Sequence, residues 1–175
     1  MDGKTVALLL LKAGGESSKF PSDDELHNAI FEQNFYRLKK EKVRAVLQAL
    51  DMQAASKFSE DVIAHDKLTI EHLLPQSWET HWALPEGLGE LERQKAIIRR
   101  NRLLHSIGNL TLITGSFNSK QQNYGWSEKK AELIKFSKLN LTQYFHDIDR
   151  WDEDAINKRT EHLFVHMKEI WPYPG

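Results

Sequence analysis

Apolar residues recur at helical spacing in two segments near the start of the chain. The first covers about residues 23–36 and follows Ser22, which can cap a helix and has Glu25 at the capping-box position. The second covers residues 39–52, and its spacing predicts another helix. Its apolar stripe consists of Val43, Val46, Leu47 and Leu50. We interpret both helices as structural, because such stripes usually face a core.

The pattern becomes strand-like after Phe58. Residues 68–73 favour a strand that stops at Pro75, and residues 108–114 favour a second one that ends at Gly115. A basic helix is predicted between them, near residues 91–101. Further helices are predicted at about 127–137 and 154–170. Two short strands within a mainly helical chain predict an α+β fold.

Composition narrows the class of protein. The chain has 175 residues, of which 40% are hydrophobic and 10% aromatic, as expected for one globular domain. It has no cysteine, which excludes disulfides, Cys-ligated zinc and thiol nucleophiles and fits a cytoplasmic location. The apolar run at residues 6–11 is too short to span a bilayer and is interpreted as a buried first element. The sequence is compatible with a complete protein and with the C-terminal part of a longer one.

Charge is balanced overall but uneven along the chain. The net charge is −1, which gives no global signature of a nucleic-acid partner. Residues 93–102 nevertheless hold five basic side chains and no acid, and more lysines follow between 120 and 138. A basic middle can attract phosphates. A solvated helix surface explains the same pattern, and charge alone favours that interpretation.

Three small signals in the middle of the chain carry the chemistry. They are the pair Glu71 and His72, then Asn109 on the predicted second strand, then Asn118. Each alone has an ordinary structural explanation, such as a turn or a helix cap. Together they offer what phosphodiester hydrolysis requires. A neutral imidazole can take a proton from water, and carboxylate and amide oxygens suit Mg²⁺ or Mn²⁺.

The sequence around these residues resembles a known family. The segments LTIEHLLPQ (68–76), HSIGNLTLI (105–113) and FNSK (117–120) are similar to the C-terminal nuclease domain of GmrSD-type restriction enzymes. That family is placed among the HNH, or His-Me finger, nucleases. The resemblance implies a ββα-metal core embedded in a mainly helical domain. The core would cover residues 61–140, between helical flanks at 1–60 and 141–175.

The resemblance also implies roles for the four central residues. His72 matches the general base, and Asn109 matches the middle Asn of the catalytic motif, which ties the connecting loop to the site. Asn118 and Glu71 match metal ligands, with Mg²⁺ or Mn²⁺ as the cofactor. Adjacent residues on a regular strand point to opposite faces. Glu71 and His72 can therefore share a site only where the strand ends or bulges, which Pro75 favours.

Polar residues near the motif are candidates for contacts with nucleic acid. Lys120, Asn123 and Lys130 could hold flanking phosphates, as could Arg99 and Arg100 of the basic helix. Solvated surface positions are the alternative for all five.

The resemblance implies a metal-dependent DNA endonuclease that nicks or cleaves DNA in restriction-type defence against foreign or modified DNA. Its partners would be DNA and an upstream nucleotide-hydrolysing or modification-sensing domain or subunit, with no membrane. One alternative is a non-catalytic nucleic-acid-binding domain that retains the HNH fold. The other is a helical interaction module in which His and Asn are structural. His105 could line a cleft, or be a packed or surface histidine.

Overall fold

The computed structural model describes residues 20–55, 68–80, 82–113 and 124–174. Five helices and two strands occur within these ranges. In chain order they are α1 (Asp23–Glu32), α2 (Lys40–Ala54), β1 (Thr69–His72), α3 (Glu90–Leu104), β2 (Leu110–Ile113), α4 (Trp126–Phe136) and α5 (Glu153–Ile170). The predicted α+β class is confirmed. The predicted first element at residues 6–11 lies outside the described ranges.

The start of α1 agrees with its sequence signature, whereas its end does not. The Ser22 hydroxyl accepts a hydrogen bond from the Glu25 backbone, and the Glu25 carboxylate accepts one from the Ser22 backbone. The helix was predicted to reach Tyr36 but ends at Glu32. The Asn34 side chain accepts a hydrogen bond from the Tyr36 backbone and so starts a separate 3₁₀ turn, Phe35–Arg37.

The two strands form a small antiparallel sheet. Glu71 pairs with Thr111 and His72 pairs with Leu110, at the end of β1. The predicted second strand began too early, because Ile107–Asn109 is a 3₁₀ turn. Gly108 in this turn lies against α5, where a Cβ would be 2.2 Å from Thr160 Oγ1 and 2.3 Å from the Ile156 carbonyl oxygen. Close packing of backbone on backbone therefore requires glycine there.

Two apolar clusters hold the sheet between the helices. The first combines α1, α2, α5 and both strands through side chains such as Ile30, Leu47, Leu112 and Leu163. The second lies on the other side and contains four tryptophans, Trp78, Trp82, Trp126 and Trp151. All four indole rings are buried, so they belong to the hydrophobic core. No helix in the described ranges is long and apolar enough to cross a membrane.

Candidate active site

His72 is the last residue of β1 and borders an open cleft of about 420 Å³. The cleft is lined by Tyr36, Ile70, Glu71, His72, Pro75, Gln76 and Ser77. Because the strand ends at His72, the chain turns there and both Glu71 and His72 border the same cleft. On a regular strand these neighbouring side chains would point to opposite faces, so the end of the strand is what lets them share one cleft.

Neighbouring side chains hold the His72 ring in one orientation. Its Nε2 lies 3.0 Å from Nδ1 of His105, and its Nδ1 lies 3.5 Å from Nε2 of Gln76. With the Gln76 amide nitrogen as the donor, His72 Nδ1 is the acceptor. In this tautomer His72 Nε2 carries the ring proton and donates a hydrogen bond to His105 Nδ1. The basic lone pair is therefore on Nδ1, on the side of Gln76.

Tyr36 covers the two imidazole rings. Its ring centroid lies 4.9 Å from that of His72 and 5.1 Å from that of His105. His105 is thus a packed partner of His72 and Tyr36, and it is not among the residues that line the cleft. Aromatic contacts on the ring and hydrogen bonds at both nitrogens leave His72 little rotational freedom.

The surroundings of His72 keep it neutral. Burial, with further contributions from His105 and Lys129, lowers its pKa from 6.5 to about 3. Burial also lowers the pKa of His105. Removing solvent disfavours the charged imidazolium, and neighbouring positive charge acts in the same direction. At pH 7 the His72 imidazole is in the free-base form.

Lys129 anchors the end of β1 from the first turn of α4. Its side chain is 0% exposed, and Nζ lies 2.7 Å from Glu71 Oε1 and 2.5 Å from the His72 carbonyl oxygen. Burial lowers the pKa of Lys129, while the Glu71 carboxylate opposes that shift. Sequence reasoning missed this residue. The sequence did hold a signal that Lys129 is buried. Trp126 lies three residues before it and Leu133 four residues after it, so all three lie on the same buried side of α4.

Asn109 is completely buried, and its amide is occupied by four contacts. Oδ1 accepts hydrogen bonds from the Leu74 backbone and from Trp151 Nε1, and Nδ2 donates to the carbonyls of Leu74 and Leu104. These bonds hold the loop that follows β1 against the turn before β2. Asn109 therefore ties these two segments together, and it is not among the residues that line the cleft.

The comparison with protein families identifies the class. Residues 20–165 match the family described as GmrSD restriction endonucleases, C-terminal domain. The chain belongs to this family. No curated protein and no solved structure matched it. The matched range of the GmrSD C-terminal domain contains every residue that lines the cleft. Membership gives the chain a restriction-endonuclease-type function, for which DNA is the substrate.

The candidate nucleic-acid contacts of this GmrSD domain differ in their placement. Arg99 is exposed and lies 2.5 Å from Asp154, whereas Lys130 is largely buried, 3.8 Å from Asp149. Lys120 and Asn123 lie outside the described residues, as does Asn118.

Arg100, which was predicted to contact phosphate, is buried among protein partners. Its side chain is 7% exposed and Nε lies 2.5 Å from Glu153 Oε1. The guanidinium also donates to the Trp82 carbonyl and lies 4.7 Å from the Trp78 ring centroid. Arg100 consequently ties α3 to α5. The charge pattern did not show that some basic residues of this helix face the core while others face solvent.

The described residues do not form a metal site by themselves. They contain no group of three or more His, Asp or Glu side chains placed to hold an ion. Glu71 brings a carboxylate to the cleft, with Oε1 already bonded to Lys129. An oxygen ligand of this type suits Mg²⁺ or Mn²⁺, and an ion bound there would need further ligands from outside the described residues.

The lowered pKa of His72 predicts how stability depends on pH in the metal-free protein. Unfolded His72 titrates near 6.5 and folded His72 near 3. As pH falls below 6.5, the unfolded chain takes up the proton first, so the stability present above 6.5 is lost progressively towards pH 3. In EDTA, we expect the free energy of unfolding to fall by about 2 kcal/mol more between pH 6.5 and 5 in the wild type than in His72→Gln. Urea titrations measure this difference, and equal slopes would contradict the assigned pKa.

Proposed function

We propose that this chain is a metal-dependent DNA endonuclease of the HNH type, in which His72 is the general base. The observation that carries the proposal is the His72 ring at the end of β1, fixed by two hydrogen bonds with its Nδ1 lone pair beside an open cleft. A water at the cleft can replace the long Gln76 contact and give its proton to Nδ1. The resulting hydroxide attacks the phosphorus of a phosphodiester in the cleft, and the bond to the leaving oxygen breaks.

Substrate binding would raise the low proton affinity of His72. In the free protein, desolvation and the positive charge of Lys129 disfavour a second proton on the ring. A DNA phosphodiester brings a negative charge to the same cleft, and a nearby negative charge raises the pKa of imidazole. The base therefore gains proton affinity when its substrate is in place.

Asn118 and Glu71 would hold a divalent metal, Mg²⁺ or Mn²⁺. When bound, such an ion neutralises the charge that develops on the phosphate and the leaving oxygen. Lys129 keeps Glu71 oriented by occupying Oε1. The buried Glu71–Lys129 pair also fixes the His72 backbone, since the same ammonium donates to the His72 carbonyl.

Contacts to the DNA backbone would surround this cleft. Arg99 and Lys130 are candidates among the described residues, and Lys120 and Asn123 follow the proposed ligand Asn118 in sequence. Such contacts hold DNA without reading its sequence. Target choice would then depend on an upstream nucleotide-hydrolysing or modification-sensing domain or subunit. The biological role is restriction-type defence against foreign or modified DNA.

Plasmid cleavage tests the metal requirement. We expect the chain to nick or linearise supercoiled plasmid with Mg²⁺ or Mn²⁺ and to be inactive in EDTA. Asn118→Ala should lose activity or require much more metal, because it removes a ligand oxygen. Asn157→Ala on α5 is the matched control and should behave like the wild type. A wild-type chain that binds plasmid without cutting it in either metal would favour the non-catalytic alternative.

A further inference from the structure

A second pocket lies directly beside the cleft and is mostly apolar. Its volume is about 160 Å³, and it shares Tyr36 and Ile70 with the cleft. Its remaining apolar side chains are Phe35, Leu38, Val43 and Leu68. The exposed Tyr36 ring stands at the boundary between the two spaces. The two spaces therefore adjoin at Tyr36 and Ile70.

Basic side chains lie along one edge of the pocket. Lys40 and Arg44, one turn apart on α2, line it, and Lys40 Nζ lies 6.0 Å from the centroid of the Tyr36 ring. Residues 37–44 contain five basic side chains and a single acid, Glu41. Within the described ranges, none of these five forms an ion pair with a carboxylate. An apolar pocket with an unneutralised cationic rim fits an aromatic ligand that carries a phosphate.

We propose that this pocket binds one unstacked base of the DNA strand whose phosphate lies in the His72 cleft. The inference rests on the proposed function and names a subsite for its substrate. Apolar cavities of roughly 150 Å³ hold one benzene-sized ring, so the size suits a single base. Tyr36 offers an aromatic face for stacking, and Lys40 and Arg44 lie where they can meet the neighbouring phosphate.

The chemistry of the lining defines which bases the pocket takes. Its side chains are mainly hydrocarbon, with the Thr69 hydroxyl as an uncharged polar group. Such a lining accepts a ring by shape and stacking and reads little of its hydrogen-bonding edge. Moving a base out of a duplex costs energy, least where the base is mismatched, damaged or already single-stranded. The preferred substrate is therefore DNA with a locally unpaired base next to the cleaved phosphate.

Binding of oligonucleotides with a single abasic position tests the subsite. The protein carries His72→Ala so that DNA stays intact, and affinity is measured by fluorescence anisotropy as the abasic position moves along one strand. We expect one position at which loss of the base weakens binding by about 5- to 100-fold. Thr69→Trp, which fills the pocket from an exposed strand position, should weaken binding of intact DNA and remove this dependence. Leu38→Trp fills it from another side.

Lys40→Ala and Arg44→Ala should each reduce the salt dependence of binding by about one phosphate contact. Lys158→Ala, an exposed lysine on α5, is the matched control and should change neither affinity nor salt slope. DNA binding and wild-type cleavage without any sensitive position would overturn the subsite and leave the proposed function standing. No binding and no cleavage would overturn both. Thr69→Trp and Leu38→Trp could also leave DNA affinity unchanged while they lower the melting temperature. That result would show that protein side chains already fill the pocket, and it would overturn the subsite.

Discussion

Replacing His72 with alanine is expected to lower plasmid cleavage by about 10²- to 10⁴-fold, which is the usual contribution of a general base. The variant removes His72 Nδ1. Among the described residues, this is the only imidazole nitrogen that can accept a proton at the cleft. His105 lies 3.0 Å from the other side of the ring and cannot supply that lone pair at the same point. The measurement is the rate of loss of supercoiled plasmid in Mg²⁺ and in Mn²⁺.

The fold should survive this change, because the ring borders an open cleft and the backbone bonds of β1 are unaffected. His146→Ala, at an exposed position after the 3₁₀ helix Asn140–Phe145, is the matched control and should cleave at the wild-type rate. Equal circular dichroism and melting temperature establish that the variant is folded. Nicking by folded His72→Ala at the wild-type rate would remove the assignment of the base.

For Asn109→Ala we expect the free energy of unfolding to fall by about 3 to 5 kcal/mol. The substitution leaves four buried partners without their hydrogen bonds, and each such group costs about 1–3 kcal/mol, with some relaxation. The affected groups are the Leu74 amide and carbonyl, the Leu104 carbonyl and Trp151 Nε1. Urea denaturation followed by tryptophan fluorescence measures the change.

Asn101→Ala is the matched control for this variant. Asn101 is exposed and accepts a hydrogen bond from Trp78 Nε1, so its loss should cost about 1 kcal/mol. Asn109→Ala should also lower cleavage at temperatures where it remains folded, because the loop holding Pro75 and Gln76 loses its tie. Similar stability of the two variants would contradict the positioning role of Asn109.

Local sequence signals predicted the elements that depend on nearby residues. The α1 start could be predicted because Ser22 and Glu25 are three residues apart and cap the helix without help from the rest of the chain. The end of α1 could not, since it depends on Asn34 and on the bond from the Phe35 amide to the His105 carbonyl. The second contact joins residues seventy positions apart in the chain.

The site divides in the same way. Residue type and order marked His72, Glu71 and Asn109 as a group, and family membership is consistent with that grouping. Lys129 escaped notice because a lysine in a lysine-rich segment reads as a surface residue. Arg100 was assigned to the surface for the same reason. Only packing shows that both side chains are buried against carboxylates, Lys129 on Glu71 and Arg100 on Glu153.

The sequence by itself determined the α+β class, the order of strands and helices, and His72 as the candidate base beside a strand end. Those features depend on periodicity, capping and residue type, which act over a few residues. The tertiary structure alone decided that His105 and Tyr36 fix the His72 ring, that Lys129 holds the end of β1, and that a basic-rimmed pocket adjoins the cleft. Each of these depends on contacts between distant segments, which no local pattern encodes.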